Sequence, residues 1–400
     1  MSTSRVIIVG AGLGGLTLAH GLRERGFDVA VYERDPHPSA RPQGYRIQID
    51  EPGLTGLRRC MPPAVLRLCL AISGAPPARV IVRNRLLEPV ADRAAAAETP
   101  GGSAPRAFDR PTLRGILLAG VGSVVHHGAA LQSYSLVSGG RVTARLADGR
   151  SATADLLVGA DGVGSTVRRL LLPEARVEDA GLRLIYGKIP LAGVPAGELP
   201  GWVFDGIFTV LAGGPGQPHV GLGPVRFGRR PELAGLAHDP PIALPATPDY
   251  LAFLVGAPAD HPAMPSFDRL RGLDHQALRG LAGRLLGDGW HPDVHRLLDL
   301  WRTESLFPLR VSTAASVPVA PRGPVTLLGD AAHAMSPVLA MGANTALRDA
   351  GELATTLSAA VASGAPLAAA VGEYQRRMAD YAGPLVANSR RTGQARVGQR

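Results

Sequence analysis

The chain has 400 residues, 46% of them apolar and only 4% aromatic, with no uninterrupted apolar run of the ~18 residues that a membrane span needs. That length calls for two or three domains. The formal charge of +9 rests on 41 arginines and a single lysine, Lys188, scattered without interleaved aromatics; this argues against a nucleic-acid surface and leaves a mildly positive field for anionic cofactors.

Val6 to Val9 reads as a short buried strand, and the absence of a basic segment before it argues against a signal peptide. Gly10-Ala11-Gly12-Leu13-Gly14-Gly15 follows as a turn, Leu16 to Arg25 as a helix, and Gly26 as its stop. Asp28 to Tyr32 is a second strand ending at Glu33, which completes a βαβ unit of about 30 residues. Residues 53–72 read as helical, broken by Pro62 and Pro63. They carry Cys60 and Cys69, read as buried thiols rather than a disulfide framework or metal site, in keeping with a reducing, cytoplasmic compartment.

Arg79 to Val82 reads as a strand, residues 91–106 as a low-complexity loop, and Pro111 to Ala119 as a helix. Val142–Ala147 and Ala152–Val158 flank Asp148-Gly149, a hairpin signal, and the second strand runs into Gly159-Ala160-Asp161-Gly162. Leu182–Ile189, Val203–Val210, His219–Leu222 and Tyr250–Val255 are short runs split by Gly and Pro, the mark of an antiparallel sheet. Leu273–Leu300 is mostly helical, Val325–Leu328 a buried strand, Asn344–Leu357 a helix, and 366–397 a helical tail.

The first turn fits G-x-G-x-x-G between a strand and a helix. Gly10 permits the tight turn, Gly12 lets a pyrophosphate approach the backbone, and Gly15 lets the helix pack on the strand. The helix N-terminus offers free N–H groups to phosphate. Glu33 ends the next strand, where a carboxylate accepts ribose hydroxyls. Far along the chain, Gly329-Asp330-Ala331-Ala332-His333 follows another buried strand. A carboxylate there suits a chain rich in hydroxyls, and can also cap the helix that starts at it; His333 reads as ordering the loop. The segment Asp161 to Arg168, taken by itself, is also compatible with a capped helix start and nothing more. A dinucleotide with a long linker, such as FAD, would use both ends.

G-x-G-x-x-G with Glu33, DG-x-x-S-x-V-R at 161–168 and GDAAH-x-x-x-P at 329–337, in this order, resemble the class A flavoprotein monooxygenases, the para-hydroxybenzoate hydroxylase-like family. The resemblance covers residues 5 to 380, with little pattern in 179–299. It implies an α/β fold in which a Rossmann-like FAD-binding domain (1–75, 101–178 and 300–360) is interleaved with an antiparallel-sheet substrate domain (76–100 and 179–299), followed by a C-terminal helical segment (361–400). By the same resemblance Gly10, Gly12, Gly15 and Glu33, with Leu13, Gly14 and Arg34 beside them, hold the ADP half of FAD. Arg41 and Arg110 lie at the cofactor, Asp161 belongs to a motif serving both FAD and NAD(P)H, and Asp330 takes the ribityl chain. The loop holding Pro337, Gly342, Ala343 and Asn344 lies against the isoalloxazine, where backbone N–H groups stabilise negative charge.

Two departures stand out. Ala340 occupies the first glycine of the family's P-x-x-G-x-G-x-N loop, and Pro321-Arg322-Gly323-Pro324 replaces a tryptophan that often precedes the second motif. The activity implied is FAD-dependent, NAD(P)H-driven insertion of one oxygen atom from O2 into an organic substrate by hydroxylation, epoxidation or Baeyer–Villiger chemistry. A polyketide or aromatic compound of secondary metabolism is the expected partner, with no nucleic acid, membrane or metal. No acid or base side chain stands out, and the oligomeric state is not legible. The alternative, favoured by Ala340, is a structural FAD in a non-redox cyclisation or rearrangement.

Overall fold

In the computed structural model of the chain, residues 3–41, 44–94, 104–195, 197–214, 216–321 and 323–399 are described. The elements run β1 (Arg5–Val9), α1 (Leu13–Arg23), β2 (Asp28–Tyr32), β3 (Arg46–Ile49), α2 (Glu51–Cys60), α3 (Pro63–Ile72), β4 (Arg79–Asn84), β5 (Pro89–Ala94), β6 (Arg106–Asp109) and α4 (Arg110–Val121). There follow β7 (Val125–His126), β8 (Leu131–Val137), β9 (Arg141–Leu146), β10 (Ser151–Ala154), β11 (Leu156–Gly159), α5 (Thr166–Leu171), β12 (Val177–Pro190), β13 (Phe208–Ala212), β14 (His219–Val225), α6 (Pro231–Leu236) and β15 (Tyr250–Pro258). The chain closes with α7 (Phe267–Arg271), α8 (His275–Leu286), α9 (Pro292–Asp299), β16 (Phe307–Ala314), β17 (Val325–Leu327), α10 (Asp330–His333), α11 (Gly342–Ser363) and α12 (Leu367–Val397).

A parallel sheet of order β17-β11-β1-β2-β7 forms the first layer. Its strands β1 and β11 are apolar on both faces, as a sheet covered on both sides requires, and Ile7, Ile8, Leu157 and Val158 are wholly buried. Around it α1, α2, α4 and α11 build the larger core. A seven-stranded sheet of order β16-β12-β15-β14-β13-β4-β5 forms the second unit, with α8 and α9 packed on one face through Leu281, Leu285, Val294 and Leu297. A two-stranded ribbon of β3 and β6 runs between the sheets.

The βαβ start, the Pro62 break between α2 and α3, and the long α12 stand where the sequence predicts them. Four expectations change. The strand expected over 152–158 is cut at Asp155, whose backbone N–H donates to Arg5 O while its carboxylate accepts from Arg5 N at 2.7 Å. There the chain leaves the β8–β9–β10 sheet and enters the parallel one. Val203 lies in a single 3-10 turn, Gly201–Phe204, and the strand starts only at Phe208. Gly206 intervenes, its backbone against the Arg79 carbonyl. Strand β16 lies within 300–360 yet pairs with β12 in the seven-stranded sheet. Of the loop expected over 91–106, residues 91–94 belong instead to β5 and Arg106 to β6, paired with β4 and β3, while 95–103 lie outside the described residues.

Candidate functional site

The first turn is built by close backbone approach. Gly10 has φ +107°, and a Cβ on it would lie 2.4 Å from Ala160 O; one on Gly15 would lie 2.1 Å from Gly10 O. Gly12 differs: nothing lies within 4 Å of its Cβ position, so the turn is open where an anion would approach. Gly12 is also the N-cap of α1 and no side chain caps it, which leaves N–H groups for a ligand. Leu13 and Gly14 point inward instead, with Leu13 buried and Gly14 against Leu328 and Ala346.

Glu33 is buried at the end of β2. Its two oxygens accept from Ala11 N at 2.7 Å and Asp35 N at 2.9 Å, so it pins the turn as well as facing it. Each oxygen keeps a lone pair for a hydroxyl. Arg41 pairs with Asp35 at 3.0 Å; Arg34, more exposed, stands 3.9 Å from the same carboxylate. A residue not singled out from sequence, Arg114, reaches over the turn: Nε donates to Ala11 O at 2.9 Å and Nη1 to Pro38 O, while Nη2 is buried with no partner. Burial lowers its pKa; Glu33 and Asp35 oppose that. An open glycine turn beside an orphaned guanidinium N–H fits a pyrophosphate. The signal for Arg114 was its spacing of four from Arg110 on one helix face.

Adjacent strands carry the other motifs. Asp161 accepts from Ser165 Oγ at 2.5 Å and from Thr166 N at 2.6 Å, and Ser165 caps α5. The segment is a capped helix start. Arg168 is buried and donates to Ala331 O at 3.1 Å, tying the Asp161 segment to α10. Asp330 opens α10 after Gly329 (φ +62°). Burial raises its pKa, against the pull of His333 and Arg110. Burial also pushes the Arg110 guanidinium down to about 10, with Asp330 opposing. His333 is fully buried, its Nε2 2.7 Å from Asp349 Oδ2, the loop-ordering place expected of it.

The loop from Pro337 to Asn344 returns to this point: a Cβ on Gly342 would lie 3.7 Å from Asp330 Oδ1. Pro337 opens a 3-10 turn that ends at Ala340 with φ +55° and ψ +24°, the left-handed region. Ala343 is half-buried at the start of α11. Asn344 is wholly buried and ties the loop to the strand before α2. Its Nδ2 donates to Ala340 O and Gln48 O, and its Oδ1 accepts from Asp50 N. Burial raises the Asp50 pKa to about 6.

The seven-stranded sheet faces this loop through the cluster of Leu182, Leu184 and Val311, against which Val338 packs along with Leu254 and Leu309. At its near end Lys188 lies 4.2 Å from the Tyr45 ring centroid, 4.3 Å from that of Tyr250 and 3.6 Å from Asp109 Oδ1. Tyr250 OH donates to Asp109 at 2.8 Å, and Asp109 caps α4 through Thr112 N. The one lysine thus braces the substrate sheet against the strand that delivers Arg110. Sequence gave no signal for this cluster, since its members meet only through tertiary packing.

Residues 306–389 match the family described as FAD binding domain, and residues 8–59 the NAD(P)-binding Rossmann-like domain. Over 382 residues the chain is 31% identical to 3-amino-4-hydroxybenzoate 2-monooxygenase of Streptomyces cremeus, covering 89% of this chain and 79% of that protein. It is 29% identical over 391 residues to the dual O-methyltransferase/FAD-dependent monooxygenase elcB of Phaeosphaeria nodorum, covering 90% of this chain and 40% of that protein. The chain therefore spans less than half of that relative's length. Among solved structures, a variant of Klebsiella pneumoniae HpxO complexed with FAD is similar with a TM-score of 0.76 at 25% identity, covering 98% of this chain and 90% of that one.

Proposed function

The chain belongs to the class A FAD-dependent monooxygenases, and from that membership we propose that it is an NAD(P)H-driven enzyme that inserts one oxygen atom of O2 into an organic substrate. The observation that carries this reading is the order β17-β11-β1 in the parallel sheet. It sets the Gly10 turn, Asp161 and Asp330 in one row at the carboxyl ends of neighbouring strands, the usual ligand crevice of such sheets. When bound, FAD supplies the dioxygen chemistry.

The chain's residues bind, orient and exclude water. Gly12, Glu33 and Arg114 suit the ADP half, with Arg34 and Arg41 at its rim and Leu13 and Gly14 packing the turn beneath. Arg110 and Asp330 suit the linker, with Asp161 holding the strand end between them. Pro337, Gly342, Ala343 and Asn344 shape the ring pocket, Asn344 by fixing the loop. In our reading residues 1–75, 101–178 and 300–360 apart from β16 serve as the cofactor unit, 76–100 and 179–299 together with β16 as the substrate unit, and 361–400 as the tail. The substrate is a small molecule, in our reading an aromatic or polyketide compound of cytoplasmic secondary metabolism. Among the described residues no helix is long and apolar enough to cross a membrane.

Ala340 holds the left-handed conformation, so the loop keeps its turn without the glycine. That supports oxygen transfer over a non-redox use of FAD. The test is the absorbance spectrum of purified protein, followed by anaerobic addition of NADH or NADPH. Bound flavin that is reduced and then re-oxidised by O2 is the expected result. Colourless protein that takes up no FAD overturns the reading; flavin that stays oxidised with both nucleotides and candidate substrates turns it to the non-redox alternative.

A further inference from the structure

Three glycines hollow the sheet face that looks toward the Pro337–Asn344 loop. A Cβ on Gly221 would lie 2.9 Å from the Phe208 ring, one on Gly223 2.7 Å from Arg46 Nε, and one on Gly256 2.5 Å from His219 Nε2. Each glycine therefore seats a side chain close on the sheet. Phe208 lies in the middle, beside Leu254; Arg46 lies at one end and His219 at the other. Gly223 and His219 are four residues apart on β14, about 13 Å by strand rise.

Arg46 crosses from β3 to reach this face. Its Nη2 donates to Ile207 O at 2.5 Å and its Nε to Pro224 O at 3.4 Å, and the guanidinium stands 5.6 Å from the Phe208 centroid. Carbonyls and a ring orient the cation without neutralising it. Asp109, opposite Arg46 in the β3–β6 register, is already taken by Thr112, Tyr250 and Lys188. Among the described residues no carboxylate pairs with Arg46, and the titratable groups that act on it are Tyr186 and Tyr250. A half-buried cation without a counterion is held at a cost, and an anion that completes it offsets that cost.

His219 is only 7% exposed, and its Nδ1 is buried without a partner. Burial pulls its pKa down to about 4. The ring is therefore neutral near pH 7 and suits an uncharged hydroxyl or carbonyl.

We propose that Arg46 is a specificity-determining residue on this sheet face, binding an ionised oxygen (carboxylate, phenolate or enolate) of a flat, largely apolar substrate whose far end offers an uncharged oxygen to His219. This deepens the oxygen-transfer reading and rests on it.

The test titrates FAD-loaded enzyme with paired probes and follows the flavin absorbance. The pairs are 2-naphthoate with 2-naphthamide, and anthracene-2-carboxylate with its carboxamide. Each acid should bind at least about tenfold more tightly than its amide, the scale of one charge-assisted contact. Arg46→Met should abolish the preference while FAD stays bound. Arg46→Lys, which keeps the charge, should retain the preference at lower affinity. An added hydroxyl, in 6-hydroxy-2-naphthoate, should tighten binding to wild type and not to His219→Leu. If neither acid binds better than its amide in yellow, FAD-loaded enzyme, this inference falls and the oxygen-transfer reading stands. A preference that survives in Arg46→Met also overturns it. Protein that holds no FAD brings down the functional reading as well.

Discussion

His333 Nε2 lies 2.7 Å from Asp349 Oδ2 with both side chains completely buried. The same carboxylate accepts from Gly329 N at 2.7 Å and Tyr381 OH at 2.5 Å. Three donors from three segments thus converge on Asp349, and one of them positions the Gly329–Asp330 turn. Asp349→Asn removes the charge these donors share and turns one of its acceptor oxygens into an NH2, and should destabilise the fold by about 2–4 kcal/mol. Burial works to lower the His333 pKa, but Asp349 and Asp330 outweigh it and the net shift is upward. The pair's stabilisation is therefore fully present below the ordinary histidine value of about 6.5 and is lost as pH rises through the higher folded value. Thermal melts from pH 6 to 9 should show that loss in wild type and not in the variant. Equal slopes would remove His333 as its source.

Much of this site was legible because its motifs are local. The Gly10 turn, Glu33 and Asp330 each follow a β-branched run, and strand, turn and helix periods can be read within a few residues. Ala340 could be singled out for the same reason, as one small residue in an otherwise intact loop pattern. The rest depends on tertiary meeting. Lys188 matters through Asp109 and two tyrosine rings supplied by other strands. Arg46 sits in a four-residue strand, too short to carry a period, and its charge acquires meaning only against Gly223 and Phe208. The split at Asp155 was hidden because both halves are strands and only the crossing to Arg5 separates them.

Gly10→Ala should abolish FAD binding. The added Cβ would meet Ala160 O at 2.4 Å at a residue with φ +107°. Backbone cannot give way there as a flexible side chain could, so the β1–β11 crevice must open. Colourless protein after incubation with excess FAD is the expected outcome; yellow protein with unchanged affinity would show that the turn tolerates a side chain.

Glu33→Gln should weaken FAD binding by about 1.5–3 kcal/mol, the worth of charged hydrogen bonds. The carboxylate accepts from Ala11 N and Asp35 N, so the amide NH2 would oppose one of them while also losing an acceptor toward the ribose. Flavin fluorescence on dilution measures the affinity. An unchanged value would limit Glu33 to a part in the fold.

Asp330→Asn should separate stability from cofactor binding. Burial raises the Asp330 pKa, so its contribution to the flavin-free fold is present below the ordinary carboxylate value of about 4 and is lost as pH rises through the raised one. Removing the charge should leave flavin-free stability at pH 7 unchanged or higher. FAD affinity should fall about tenfold through loss of a charged acceptor. Parallel melts and flavin titrations check both halves, and a variant that binds FAD as tightly as wild type would free the linker of this residue.

Ala340→Gly should stabilise the loop without loss of FAD. Ala340 has φ +55°, a region costing a non-glycine residue roughly 1 kcal/mol. The Ala340 N–H donates to Pro337 O, and its carbonyl accepts from Asn344 Nδ2, so the conformation is enforced from both sides. Glycine removes the strain but adds freedom to the unfolded chain, so the expected net gain is about 0.5 kcal/mol. Ala340→Val, β-branched at the same backbone angles, should cost more than alanine does, and FAD affinity should fall with it as the loop leaves Asp330. Urea denaturation of the three proteins, with and without FAD, orders them Gly, Ala, Val from most to least stable. If valine is tolerated as well as glycine, the left-handed turn is not what holds the loop, and the burden passes to Asn344, whose three hydrogen bonds span the loop, Gln48 and Asp50.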